Sequence, residues 1–315
     1  MVISTSNPLP NSGPQKLSLG ARWSVYKELS KSGIVALVLI SVLGGYLIGQ
    51  PSETMFSLKH MLLTLFGILI LASGSSALNQ LQEVTVDAKM PRTSKRPLPS
   101  GRISKGEALT FVLTFVILGL ILLAMISWTE LVLGALAVIS YNGFYTLWWK
   151  RKWAYAAVPG AIPGALPILM GHVAVTEQLW APGGIYLFFI LFFWQMPHFW
   201  ALALRYKDDY AVGEFPTLPV AKGSGVTIFQ IVLWCLAYVA LALVAPLFLR
   251  VGNFYLSVTL LMSLKLLWEL VRFVKQPESK RWLHFFLWIN FSLIAYIGAA
   301  AIDLWSVYLI PYFTR

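Results

Sequence analysis

Charge is what this chain has least of. Only 12% of its 315 residues are Asp, Glu, Lys or Arg, while 58% are hydrophobic. A soluble domain carries about 25% charged residues. Half that complement cannot cover a water-exposed surface, which excludes an ordinary soluble globule and a disordered chain. Cysteine is reduced to one residue, Cys235 in an apolar stretch, so an internal disulfide framework is excluded too. Internal repeats, long linkers and low-complexity tracts are lacking, apart from a Ser/Pro/Gly-rich start at residues 4–14. Acids are the scarcer charge: 13 against 24 bases, for a net charge of +11. In a soluble protein that excess would point to nucleic acid; here its distribution decides otherwise.

What is present in quantity is apolar length. Windows free of Lys, Arg, Asp and Glu run over 32–52, 60–82, 108–129, 131–149, 153–176, 178–204, 223–249 and 282–302. Each is close to the ~20 residues that a helix needs to cross a ~30 Å hydrocarbon core. A ninth window, 252–272, carries Lys265 and Glu269; four residues apart, they share a helix face and can pair. Backbone groups in lipid must be satisfied internally, and the apolar runs are continuous rather than alternating, so the spans are helices and not barrel strands. The expectation is an all-α polytopic membrane protein with nine transmembrane helices. It comprises an N-terminal arm, 1–31, and a single nine-helix domain, 32–315.

The bases set its orientation. With nine spans, one side collects twenty Lys and Arg: the arm, 83–107, the Lys150–Arg151–Lys152 turn, Arg205 to Lys222, and Arg272 to Arg281. The other side holds three, Lys59, Arg250 and Arg315, and Lys265 lies within a span. The positive-inside rule then predicts a cytoplasmic N-terminus and an outside C-terminus. It also accounts for the net charge with lipid, and not nucleic acid, as the partner.

Polar side chains gather at the cytoplasmic ends. Asn79, Glu83 and Asp87 stand at i, i+4 and i+8 at the end of the second span, a spacing that keeps them on one helix face. Oxygen donors so placed suit a hard cation such as Mg²⁺, which shares its shell with phosphate; a helix end reaching polar headgroups would look the same. Lys89, Arg92, Lys95 and Arg96 follow, as the positive-inside rule requires, or as a clamp in which Arg holds phosphate oxygens. A second acid group, Asp208 and Asp209 with Glu214, ends the sixth span beside Arg205 and Lys207. Two carboxylate clusters flanked by bases suggest two walls around an organic diphosphate. His198 lies about ten residues before Asp208, hence ~15 Å deeper. A histidine in a span is a functional candidate by default, although a hydrogen bond between helices is the commoner use. His60 and His172 are expected near the outer interface and His284 near the inner one. Pro159, Pro163 and Pro167 alternate with Gly160 and Gly164 in the fifth span. The plainer reading is close helix packing with kinks; the other is that this face lines a substrate cavity.

The pattern Asn79-xxx-Glu83-xxx-Asp87 resembles the first acidic motif of the UbiA-type intramembrane prenyltransferases, with Glu83 where the family usually has Asp. Four further stretches are similar to the protohaem IX farnesyltransferase (haem O synthase) branch of that family. They are Arg92-Thr93-x-x-Arg96-Pro97-Leu98, Tyr145-Thr146-x-x-x-Lys150-Arg151, Trp194-Gln195-x-Pro197-His198-Phe199, and Tyr206-Lys207-Asp208-Asp209-Tyr210. The resemblance spans about residues 30–300. It implies Mg²⁺-dependent transfer of a farnesyl group from farnesyl diphosphate to a vinyl group of haem b, with water addition, giving haem O. Asn79, Glu83, Asp87, Asp208 and Asp209 would hold metal and diphosphate. Arg92, Arg96, Lys150, Arg151 and Lys207 would contact phosphate oxygens, and His198 would touch haem. The implied setting is a bacterial plasma membrane with the active site on the cytoplasmic side. Two other readings stay open at this point: a related prenyltransferase acting on a quinone precursor or chlorin, and a transporter without chemistry.

Overall fold

The computed structural model describes residues 18–50, 56–277 and 280–313. Residues 1–17 of the expected arm, including Lys16, and Arg315 at the other end therefore lie outside the described residues. Among the described residues there is no strand, and nine helices are long and apolar enough to cross a membrane. They are α2 (Ser32–Gly49), α3 (Leu58–Asp87), α4 (Lys105–Ala124), α5 (Trp128–Lys152), α6 (Ala157–Thr176), α7 (Pro182–Arg205), α9 (Leu218–Leu243), α10 (Asn253–Lys275) and α11 (Arg281–Phe313). Two short helices accompany them: α1 (Leu19–Leu29) before the first span and α8 (Lys207–Val212) after α7. The nine expected spans are thus all present, and the ninth window does hold a pair: Lys265 Nζ lies 2.5 Å from Glu269 Oε1.

The described part of the arm is not a loose lead. Helix α1 starts at Ser18, whose hydroxyl accepts from Ala21 N, the usual N-cap role of serine. Its Val25 and Leu29 are buried with Ala77 of α3 and with Leu98 and Ile103 of the 88–104 loop. Buried Gln80 of α3 donates to the carbonyls of both Glu28 and Leu29 at 2.9 Å. These two acceptors are among the carbonyls a helix end leaves unpaired, so α1 is pinned to α3 at its last turn. Helix α4 opens with a capping box: Ser104 and Glu107 each accept from the other's backbone N–H.

Close helix contacts rely on glycine. A Cβ on Gly45 of α2 would stand 2.0 Å from the Ile168 carbonyl oxygen of α6, and one on Gly171 of α6 would stand 2.1 Å from the Val42 carbonyl oxygen of α2. The two backbones touch because both positions are bare, as small residues allow in lipid. One kink has a local cause: Gly223, at φ 84°, breaks the first turns of α9, a left-handed conformation that glycine adopts without steric cost.

Candidate active site

A cavity of about 420 Å³ opens where the 88–104 loop meets the loop after α7. The two loops are tied together: Lys89 pairs with Glu214 at 2.8 Å, and Arg92 with Asp209 at 3.7 Å. Met90 packs in one apolar cluster with Tyr210 and Phe215. Below them the cavity runs between α2, α3, α5, α6 and α7, and its deeper wall is apolar, with Val38, Ile68, Leu71 and Met170.

The head of the cavity is polar. Asn79, Glu83 and Asp87 all line it, and each is 2% exposed or less. The four-residue spacing therefore does what it predicts and puts three oxygen-bearing side chains on one inward face of α3. Each is matched by one cation from a different part of the chain. Lys31 donates to Asn79 Oδ1 at 2.5 Å. Lys150 donates to both oxygens of Glu83, at 2.8 and 3.0 Å. Arg96 donates to Asp87 Oδ2 at 2.7 Å. Two bases also face aromatic rings: Lys150 lies 4.4 Å from the Phe215 centroid, and Arg92 5.0 Å from that of Tyr206.

Lys31 is the residue that sequence reasoning passed over. Read along the chain, it is one more base of the positive-inside count. In space it sits at the joint between α1 and α2, in the left-handed region at φ 52°, a conformation that is uncommon for a side-chain-bearing residue and flags special positions. Gln80 pins the end of α1, and the chain then delivers Lys31 over Asn79. Burial, with Arg96 close by, pulls its ammonium down to about 7. The only signal in sequence was its position at the mouth of the first span.

The remaining expectations divide. Arg92, Arg96 and Lys150 line the cavity with the first acid group. Arg151 does not; it points to the Gln82 carbonyl at 3.4 Å on the exposed side. Asp209 reaches the site only through Arg92, and Asp208 is exposed. Lys207 and Asp208 are not among the lining residues. Among the described residues no three His, Cys, Asp or Glu side chains converge as a ready-made metal cluster. His198 also lies off the cavity. Its ring is tucked between Trp194 and Phe286, at 4.7 and 4.8 Å between centroids, against α11, while Gln195, Met196 and Phe199 of the same helix line the cavity. A helix shows different neighbours to adjacent residues, and the sequence could not say which of these four faced inward. His172, expected at the interface, is buried; a Cβ on Gly49 or Gly184 would crowd it. The proline–glycine face of α6 serves both of its readings: Gly160, Pro163, Gly164 and Pro167 line the cavity, and a Cβ on Gly164 would stand 2.0 Å from Gln195 Oε1.

Two carboxylates and one amide oxygen, each facing its own cation, suit a ligand that carries both signs. Mg²⁺ binds through one or two carboxylates and otherwise keeps waters and phosphate oxygens. The all-oxygen donor set of Asn79, Glu83 and Asp87 fits such an ion. A metal held by the two carboxylates would free Lys150 and Arg96 to meet phosphate oxygens beside Lys31, whose partner Asn79 is a neutral amide.

Residues 38–294 match the UbiA prenyltransferase family. A relative called protoheme IX farnesyltransferase, from Bdellovibrio bacteriovorus, is 45% identical over 282 residues, covering 90% of this chain and 97% of that one. Another of that name, from Aquifex aeolicus, is 37% identical over 282 residues, covering 89% and 94%. A UbiA homolog from Archaeoglobus fulgidus, solved bound to GPP and Mg²⁺, superposes with a TM-score of 0.65 at 21% identity, over 88% of this chain and 99% of that one.

Proposed function

This chain belongs to the UbiA prenyltransferase family, and we propose that it transfers the farnesyl group of farnesyl diphosphate to a vinyl group of haem b, giving haem O. The single observation that carries the donor half is the row of two acid–base pairs, Glu83–Lys150 and Asp87–Arg96, and one amide–ammonium pair, Asn79–Lys31, at the head of an apolar cavity. The acceptor half rests on the two protoheme IX farnesyltransferases that this chain resembles at 45% and 37% identity.

In this reading Asn79, Glu83 and Asp87 would hold Mg²⁺, with Asp209 at the mouth beside Arg92. The metal supplies charge neutralisation for the departing diphosphate. Lys31, Arg96, Lys150 and Arg92 would donate hydrogen bonds to phosphate oxygens, and these strengthen as negative charge builds on the leaving group. The allylic C–O bond breaks with both electrons going to the diphosphate. The farnesyl cation is left against the Tyr141, Tyr145 and Phe199 side chains that line the cavity, whose electron-rich ring faces attract a cation. The vinyl π electrons of haem b then form the new C–C bond, and water adds to the resulting cation and loses a proton. The apolar depth of the cavity keeps water from reaching the first cation too soon. The proposed setting is a bacterial plasma membrane, with the acid–base head on the cytoplasmic side, where the bases collect.

The test is direct. Membranes holding the protein receive farnesyl diphosphate, Mg²⁺ and haem b, and haems are separated and weighed by mass spectrometry; a parallel reaction offers a quinone precursor. A hydroxyethylfarnesyl haem is expected. Prenylation of the quinone precursor with haem unaltered would replace the acceptor, and absence of pyrophosphate release with either would end the enzyme reading.

A further inference from the structure

We infer that Thr146 is a positioning residue for the head of the site: its hydroxyl holds the side-chain amide of Asn79 so that the oxygen, and not the nitrogen, faces the cavity. The inference rests on the reading of Asn79 as a ligand of a metal–diphosphate head.

Helices α3 and α5 meet in three polar rungs. Ser75 donates to Asn142 Oδ1 at 2.6 Å, Asn79 Nδ2 to Thr146 Oγ1 at 3.1 Å, and Lys150 to Glu83 at 2.8 Å. Each rung joins residues 67 apart, so both helices advance by four per rung and run parallel in register. Two of the three α5 members, Asn142 and Thr146, lie in the π-helical stretch Ile139–Trp149, and Lys150 follows it directly. Extended π-helix is rare and tends to mark functional sites. Its backbone bonds span five residues, and the Thr146 side chain follows the same spacing, donating to the Tyr141 carbonyl at 2.8 Å.

That bond decides the amide. A threonine hydroxyl has one proton, and here the Tyr141 carbonyl takes it. Toward Asn79, Thr146 can only accept, so the group it meets must be the amide NH₂. The second NH₂ proton goes to Glu83 Oε2 at 3.1 Å, again an acceptor. Asn79 Oδ1 is thereby turned toward Lys31 and the cavity. Flipping the amide would set oxygen against the Thr146 lone pair and the Glu83 carboxylate, and NH₂ against an ammonium: three unfavourable contacts at once. Asn79 is the one of the three donors with a wrong end, because the carboxylates of Glu83 and Asp87 present oxygen either way. Thr146, 0% exposed, selects the end that can ligate a hard cation or accept from Lys31.

The experiment is a double-mutant cycle on the purified full-length protein, with binding of Mn²⁺ plus a non-hydrolysable farnesyl thiodiphosphate followed by electron paramagnetic resonance. Thr146→Val should weaken Mn²⁺ binding about tenfold, the size of one hydrogen bond lost, and Thr146→Ser should restore most of it. In an Asn79→Asp background, whose carboxylate has no wrong end, Thr146→Val should cost less than twofold. Equal losses in both backgrounds would make Thr146 a packing residue and overturn the inference. If Thr146→Val does not fold, Thr146→Ala is read in the same two backgrounds. Wild-type Mn²⁺ affinity in Asn79→Ala would remove Asn79 as a ligand and the inference with it. A loss there but none in the Thr146 variants would overturn the inference alone and leave the ligand reading intact.

Discussion

Glu83 and Lys150 stand 67 residues apart in the chain, yet both oxygens of the one carboxylate, at 2.8 and 3.0 Å, accept from the ammonium of the other. The glutamate side chain is 3% exposed and the lysine 19%. Phe215, from the loop after α8, covers the ammonium from a third direction. The pair therefore joins α3 to α5 and is roofed by the loop that completes the cavity. Its low exposure makes it sensitive to the loss of either partner, because a buried charge left alone costs more than the pair contributes.

Lys150→Met should lower the rate of pyrophosphate release by about 100-fold, the scale for removing one donor to a developing anion. It should also destabilise the fold by about 3 kcal/mol through the stranded Glu83 carboxylate. Lys150→Arg should recover the stability and part of the rate. Release kinetics beside thermal unfolding in detergent separate the two effects; a normal rate in a stable Lys150→Met protein would remove Lys150 from the phosphate site.

Metal dependence follows from the acid row. Asp87→Asn should reduce turnover by at least about 100-fold while the protein still inserts, and Glu83→Asp should be the mildest change because it keeps the charge. Chelator should stop the wild-type reaction and Mg²⁺ should restore it. Turnover by wild type under saturating chelator would rule out the metal-held diphosphate.

Lys31 gives a prediction that the linear chain does not suggest. Lys31→Met should raise KM for the prenyl diphosphate about tenfold, the value of one charge-assisted hydrogen bond. Lys27→Met, one turn earlier on the exposed side of α1, should leave it unchanged. Steady-state kinetics on both variants decide whether α1 delivers a substrate contact or merely an anchor.

Topology can be read with single cysteines. In a Cys235→Ala background, Ser100→Cys lies in the loop that carries Arg96, and Gln178→Cys lies beyond the far end of α6; both positions are exposed. An impermeant thiol reagent on intact cells should label only position 178. Labelling of position 100 alone would invert the protein and place its acid–base head outside.

The α2–α6 contact makes a packing prediction. Gly45→Ala and Gly171→Ala each put a methyl about 2 Å from a backbone carbonyl oxygen, and a backbone cannot swing aside as a side chain can. Each should lower stability by about 1–3 kcal/mol. Gly298→Ala, where nothing lies within 4 Å, should be neutral or slightly stabilising. Unfolding temperatures in one detergent give the comparison.

The features legible in the sequence are those with a one-dimensional physical cause. Hydrocarbon thickness sets how long an apolar run must be, so the nine spans could be counted before any helix was seen. The helical repeat put Asn79, Glu83 and Asp87 on one face without knowledge of what that face meets. The same arithmetic paired Lys265 with Glu269. It could not turn a helix about its own axis: Gln195, His198 and Phe199 are equally eligible by spacing, and packing of α7 against α11 sends His198 one way and the other two into the cavity. Nor could it show that Asp208 stays in solvent while Asp209 meets Arg92, because a bend at Tyr206 lies between α7 and α8.

Composition and spacing thus determined by themselves that this is a nine-span helical membrane protein with oxygen donors gathered at one end, since burial in lipid and helix periodicity act locally along the chain. The partner of each donor was decided only by tertiary structure. Lys31, Lys150 and Arg96 lie 48, 67 and 9 residues from Asn79, Glu83 and Asp87 respectively. Local motifs mark Arg96 and Lys150 as phosphate contacts but not which donor each one meets, and nothing local distinguishes Lys31 from the other bases of the same surface. Hydrogen bonds act over about 3 Å, and only the packing of the α1–α2 joint, the 88–104 loop and α5 against α3 brings these particular cations within that reach.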